Sequence, residues 1–186
     1  MNAATAHSGL HPRLSELALF LAGTRAELLE AARGAPEGLS KGQAWTVPQV
    51  LQHVAMLEVG TTRYLRQCLD RALEAGIERE TDTSSVLTSL DAQLARVPPR
   101  LQTPPELAPA EHIRMVDALA NLVAARGELS AFITDANGWD GKQVLGDHPF
   151  FGTIDLYQYL LFIAHHELRH AAQIARIRAT GADAGA

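Results

Sequence analysis

Apolar side chains recur every three or four residues in four long stretches of the chain, the period of helices that bury one face. The first stretch opens at Pro12, a favoured first helical residue, carries Leu14, Leu17, Leu21 and Leu28, and stops at Gly34. The second runs from Thr46 to Gly76 with Val50, Val54, Leu57, Leu65, Leu69 and Leu73 on its stripe, and Thr46-Val47-Pro48-Gln49 reads as a capping box. The third follows Pro109, carries Val116, Leu119, Val123 and Ile133, and ends at Gly138. The fourth follows Gly152 and Thr153 and ends near Gly181. These last two are each expected to exceed about six turns, and each of the four glycines suits a left-handed cap. A short helix is expected within residues 84–97, after which Pro98, Pro99, Pro104, Pro105 and Pro109 exclude a tight turn. The predicted fold class is therefore all-α, a four-helix bundle with a long crossover between helices 2 and 3. No stretch sustains alternation with period two, so no sheet is expected. Residues 10–180 read as one domain, with a flexible leader at 1–9 and a flexible tail at 181–186.

Composition narrows the function classes. With 186 residues, 47% hydrophobic and 20% charged, the chain fits one globular domain. Its net charge of -5 argues against nucleic acid as a partner. The single cysteine, Cys68, excludes a disulfide framework and points to a reducing compartment, the cytoplasm. The first twenty residues lack a basic leader, and their longest apolar run, Leu17 to Ala22, is too short to span a bilayer, so no membrane partner is expected.

Eight histidines are the compositional oddity, and their positions matter more than their number. Continuing the stripe Leu156, Tyr159, Ile163 leads to His166 and His170, one turn apart on one face. His53 likewise interrupts the second stripe between Val50 and Leu57. A lone buried histidine is usually a hydrogen-bonded core residue. Three buried without partners would cost about 1–3 kcal/mol each, whereas one divalent cation satisfies all three. His7, His11, His112 and His148 read as surface or capping residues, and His165 as a residue at the rim. His166-Glu167-Leu168-Arg169-His170 also matches the H-E-x-x-H pattern of zinc proteases, with glutamate as base. The sixteen residues after His170 hold no further His or Glu as third ligand, and no strand is expected to align a peptide, so a protease is not favoured.

Two stretches resemble the DinB and YfiT superfamily of small bacterial metal-binding bundles. Trp45-Thr46, Val50-Leu51, His53 and Glu58 are similar to its second-helix signature. His148-Pro149-Phe150-Phe151-Gly152 followed by His166-Glu167-Leu168-Arg169-His170 and Gln173-Ile174 resembles the subgroup with an HPxFG loop before an H-E-x-R-H-x-x-Q helix. The resemblance implies that His53, His166 and His170 hold one divalent ion, zinc or nickel being expected, with water or substrate completing the shell. It further implies thiol S-transfer as the recurrent activity, with a small-molecule substrate, a low-molecular-weight thiol among the candidates, and a homodimer kept open.

Three neutral imidazoles leave an ion its full charge and an open position. Such a site can activate a small thiol for attack on an electrophile, or acidify a water for hydrolysis. A non-catalytic metal-binding stress-response module is the third reading. Glu167 and Glu58 lie about 100° and 140° round their helices from His166 and His53, so neither is aimed at the ion, which favours thiol transfer. Gln173 is expected beside a ligand, Tyr159, Phe162 and Trp45 at the pocket mouth, and Cys68 far from the site. Metal binding is expected to weaken below about pH 6.5, where free imidazole protonates.

Overall fold

In the computed structural model the described residues are 9–38, 44–97 and 103–182, with side chains described to 179. The helices are α1 Pro12–Ala32, α2 Val47–Glu74, the single-turn α3 Asp91–Leu94, α4 Met115–Asp135 and α5 Leu156–Ala182, and a small hairpin joins β1 Leu145–His148 to β2 Gly152–Asp155. α1, α2, α4 and α5 form a four-helix bundle in which α1 packs most extensively on α5 and α2 on α4. The α2 start is the capping box expected of Thr46 and Gln49, and Gly34, Gly76 and Gly138 take the left-handed conformation just past their helices. Of the expected leader at 1–9 only Gly9 is described, its carbonyl accepting from Asn137 Nδ2, and of the expected tail at 181–186 residues 183–186 lie outside the described residues, while α5 runs on through Ala182.

Several expectations need correction. α4 begins at Met115, because residues 110 and 111 are held on α2: Gln49 Nε2 donates to both their carbonyls, and the Ala110 N–H donates to Gln52 Oε1. With 21 residues it falls just short of six turns. Its buried face is Ala118, Leu122, Ala125, Leu129, Phe132 and the expected Ile133, whereas Val116 and Val123 are 61% and 74% exposed. The expected crossover helix shrinks to the one turn of α3. α5 starts two residues later than expected, because Asp155 and Gln158 form a reciprocal cap: Asp155 Oδ1 accepts from the Gln158 N–H, and Gln158 Oε1 from the Asp155 N–H.

The β hairpin was not expected. Its strands are four residues long, too short for alternation to register, and its signal is instead the turn. Pro149, Phe150 and Phe151 form a three-residue loop, and Gly152, paired with His148, takes φ 69° as such hairpins require. Gly146 lets β1 press onto α2 and α5, since a Cβ there would lie 2.7 Å from the Tyr64 ring and 3.1 Å from Cys68 Sγ.

Buried apolar side chains fall into two layers along the bundle, one around Leu17, Leu65, Leu129 and Leu160, the other around Leu28, Val50, Leu122 and Ile174. Between them in all four helix sequences sits a charge. Arg25 on α1 ion-pairs with Glu58 on α2 and donates from Nε to Glu167 Oε1 on α5 at 2.6 Å. Arg126 on α4 donates from Nε to Glu58 Oε1 at 2.7 Å and from Nη2 to Glu167 Oε1 at 2.9 Å. Thr24 Oγ1 donates to Glu167 Oε2 at 2.6 Å, while the carbonyls of Leu122 and Leu21 accept from Arg25 and Arg126. Both carboxylates are fully buried. Burial works against the Arg126 charge, but Glu167 and Glu58 more than offset it and hold the guanidinium above its ordinary value.

Two arginines and two glutamates cancel in charge, so removing one member strands a buried charge. Arg126→Met should lower unfolding free energy by about 3–5 kcal/mol in urea titration, whereas Arg126→Met with Glu58→Leu, which leaves Arg25 and Glu167 matched, should recover a substantial part of that loss. A single variant within about 1 kcal/mol of wild type would show that the network contributes little.

Candidate metal centre

His53 on α2 and His166 and His170 on α5 converge, with His166 Nε2 lying 3.2 Å from His53 Nε2 and 3.1 Å from His170 Nε2. These separations approach the roughly 3.3 Å between ligands of a tetrahedral ion with zinc–nitrogen bonds of about 2.0–2.1 Å. The outer ring atoms fix the tautomers. His53 Nδ1 is 2.8 Å from the Leu107 carbonyl, which can only accept, so the proton is on Nδ1 and the Nε2 lone pair faces inward. His170 Nδ1 donates to Gln173 Oε1 at 2.7 Å, with the same consequence for its Nε2. His166 Nε2 can offer one proton to one of these two acceptors, and its buried Nδ1 has no partner. At least one pair of nitrogens therefore meets lone pair to lone pair. A cation between the three removes that conflict, so the residues fit a divalent metal.

Burial also keeps the three rings neutral. It lowers the His53 imidazole, with the Leu107 carbonyl acting the other way, and drives His166 well below its ordinary value, His170 and His53 adding to the effect. Burial brings His170 down to about 4, with His53 adding to the effect and Gln173 opposing it. Burial thus moves the onset of proton competition to lower pH than the roughly 6.5 expected of free imidazole, most of all for His166 and His170.

Beside the cluster opens a cavity of about 690 Å³, lined largely by apolar side chains. Tyr159, Phe162 and His165 line it, as does Leu107 from the crossover. Gln173 lies behind His170 as its hydrogen-bond partner. Trp45 does not line the cavity: it packs against His53, ring centroids 5.0 Å apart. Glu167 is not in the cavity either, since Arg25, Arg126 and Thr24 engage it about a quarter-turn round α5 from the histidines, and Glu58 is likewise held by Arg25 and Arg126. The glutamate of the H-E-x-x-H match is thus unable to act as base. The carboxylates that do line the cavity are Glu106 and Asp147, both exposed, the latter accepting from Thr153 Oγ1 at 2.6 Å. Cys68 is a buried thiol whose acidity burial weakens, and it does not line the cavity.

Four contributors were missed from the sequence. His148, read as a surface or capping residue, is 8% exposed and forms part of the cavity wall. Its signal was the hairpin turn just after it. The Leu107 carbonyl has no sequence signal, because any residue supplies one. Arg25 and Arg126 did leave a trace: Arg25 lies four residues after Leu21 and three before Leu28, and Arg126 four after Leu122 and three before Leu129. Each interrupts an apolar stripe just as His53 does. Among the other histidines, His7 lies outside the described residues, the His11 N–H donates to Asn137 Oδ1 at the start of α1, and His112 is exposed ahead of α4.

Comparison with known proteins agrees with this architecture. The chain is 27% identical over 137 residues to the uncharacterized protein YuaE of Bacillus subtilis (strain 168), covering 73% of this chain and 78% of that protein. Its fold matches the crystal structure of TT2238, described as a four-helix bundle protein, with a TM-score of 0.53, 25% identity, and coverage of 86% of this chain and 94% of the other. No described helix is long and apolar enough to cross a membrane. Residues 21–174 match the family model of the DinB superfamily, so a bundle with a buried three-histidine cluster between α2 and α5 belongs to that family.

Proposed function

We propose that this protein is a metal-dependent S-transferase, binding one divalent ion, zinc or nickel, through His53, His166 and His170, and joining a low-molecular-weight thiol to an electrophile held in the cavity. The observation that carries this reading is the convergence of three inward-facing Nε2 atoms on a roomy apolar cavity, while the nearest glutamate of the helix is locked in ion pairs. When bound, the ion supplies Lewis acidity that lowers the pKa of a thiol or water on its open position. The chain's own residues do the rest. Leu107 and Gln173 hold the His53 and His170 rings in the ligating tautomer, and the aromatic wall excludes water and accepts an apolar electrophile. A free, buried Cys68 is compatible with a reducing cytoplasm and takes no part.

A hydrolase is the second reading, and it rests on Glu106, which lines the cavity one residue before the Leu107 carbonyl that holds His53. A binding module without turnover is the third.

Elemental analysis of purified wild type should give one divalent ion per chain, and His170→Ala should lose it. Gln173→Ala should weaken metal affinity about 10 to 100-fold. Stoichiometric metal in His170→Ala would sink the ligand assignment.

The pH dependence has a definite sign. The folded imidazoles are depressed, His170 to about 4, while unfolded histidine titrates near about 6.5, so between these values the unfolded chain takes up protons that the folded chain refuses. Stability of the metal-free protein should be full above about pH 6.5 and fall as pH drops toward 4, the His170 share being lost by then. Metal affinity, for the same reason, should persist below about pH 6.5, where free imidazole would already compete, and fall at lower pH. Urea midpoints and metal titrations across pH 4–8 read both, and a loss of metal centred on 6.5 would contradict the burial argument.

Metal-loaded protein should accelerate transfer of bacillithiol, mycothiol, glutathione or cysteine to an epoxide or chlorinated acceptor. His53→Ala should abolish the metal-dependent rate and Cys68→Ser should leave it unchanged. Hydrolysis of an ester or amide, lost in Glu106→Gln and with no thiol turned over, would replace the transferase by the hydrolase.

A further inference from the structure

The cavity has a polar group on its hairpin wall that the metal reading does not use. His148, the last residue of β1, is clamped by aromatic rings: Phe151 stacks on it with centroids 4.5 Å apart and planes 19° from parallel, and Phe162 meets it edge-on at 4.5 Å. The Phe150 N–H donates to its Nδ1 at 3.2 Å. An Nδ1 that accepts leaves the proton of the neutral ring on Nε2. That Nε2 has no partner among the described residues, yet it is not a sealed, unsatisfied atom, and the residue lines the cavity. Burial alone brings the imidazole down to about 4, so at neutral pH the ring is uncharged. A neutral imidazole is a poor proton source but a good fixed hydrogen-bond donor. In a mainly apolar cavity, one rigid donor sets which end of a ligand faces which wall.

We propose that the Nε2–H of His148 orients the ligand of this cavity, and that the ligand is a largely apolar molecule carrying an oxygen acceptor of the ketone, ester or epoxide kind. The inference rests on the reading of the cavity as the substrate site. In thiolate attack on an epoxide, an S–C bond forms as a C–O bond breaks and the electron pair stays on oxygen. His148 donates to that oxygen while keeping its own proton. Water supplies the proton the oxygen takes up, matching the one the thiol released to solvent.

The test uses two probes of matched shape, 2-acetylnaphthalene, which has the acceptor, and 2-isopropenylnaphthalene, which lacks it. Binding to full-length wild type, measured by calorimetry with and without metal, should favour the ketone about three- to tenfold. His148→Phe, which retains a stacking ring without the donor, should bind both probes alike, and His148→Gln should restore part of the preference. Long-range nitrogen–proton NMR should find the His148 proton on Nε2 at pH 7 and should show that nitrogen shifting with the ketone but not with the hydrocarbon. Equal affinities in wild type, binding of neither probe at millimolar concentration, a preference that survives in His148→Phe, or a proton on Nδ1 would each overturn the proposal. The NMR result does not require any variant to fold. Metal content is read separately, so a protein that holds no metal but keeps the ketone preference would overturn the transferase and leave the role of His148 standing.

Discussion

The two arginines and two glutamates between the apolar layers set the geometry on which everything else rests. A buried carboxylate is tolerable only where cations and donors surround it, so Glu58 and Glu167 can occupy one place and no other: between Arg25 of α1 and Arg126 of α4. Apolar stripes alone permit a helix to slide or rotate by part of a turn at modest cost. Four charges that must meet do not. Glu167 thereby fixes the rotation of α5, and residues 166 and 170, off to one side of that anchor, are turned toward α2. Glu58 does the same for α2 and so aims His53, five residues earlier, across the gap. The histidine cluster thus takes its aim from the ion network.

This arrangement also explains why a sequence match to a protease pattern misleads. In H-E-x-x-H the chemistry depends on the glutamate sharing the cavity with the histidines, whereas here the same residue turns into the bundle interior and is held in ion pairs by Arg25 and Arg126. The buried tautomers carry a complementary message. Because Leu107 belongs to the crossover, its carbonyl links the order of that segment to the His53 ring, while Gln173 performs the equivalent task for His170 from within α5. One ligand is oriented by tertiary contact and another by its own helix.

How much of this was legible follows from how each feature is encoded. The helices were readable because their stripes, caps and glycines repeat one message, and the bundle followed from their number and from the crossover. The three histidines were readable because each occupies a stripe position that should be apolar. The same logic would have found Arg25, Glu58, Arg126 and Glu167, which break the stripes at corresponding depths, had the interruptions been compared across helices. Other features were hidden. The α4 face was misassigned because Val116 and Val123 are apolar yet exposed, while Ala118 and Ala125, small and easily overlooked, are the residues that face the neighbouring helices. The hairpin lay below the length at which alternation can be detected, and the backbone carbonyl of Leu107 has no side-chain identity to read.

The division of labour between rigid and variable parts gives the site its character. The candidate ligands stand on two long helices locked by the ion network, whereas much of the cavity wall beside them comes from the crossover and from the hairpin. The three converging imidazoles are thus carried by different elements from much of the wall beside them. His148 sits at the join. Its strand is pressed onto α2 and α5 through Gly146, so its ring is held as firmly as a helical residue, yet the loop beside it supplies the aromatic surface that a ligand would meet. Phe162 lies between His148 and His166, 4.5 Å from one ring and 6.0 Å from the other, so the hairpin wall and the histidine cluster meet across a single aromatic side chain.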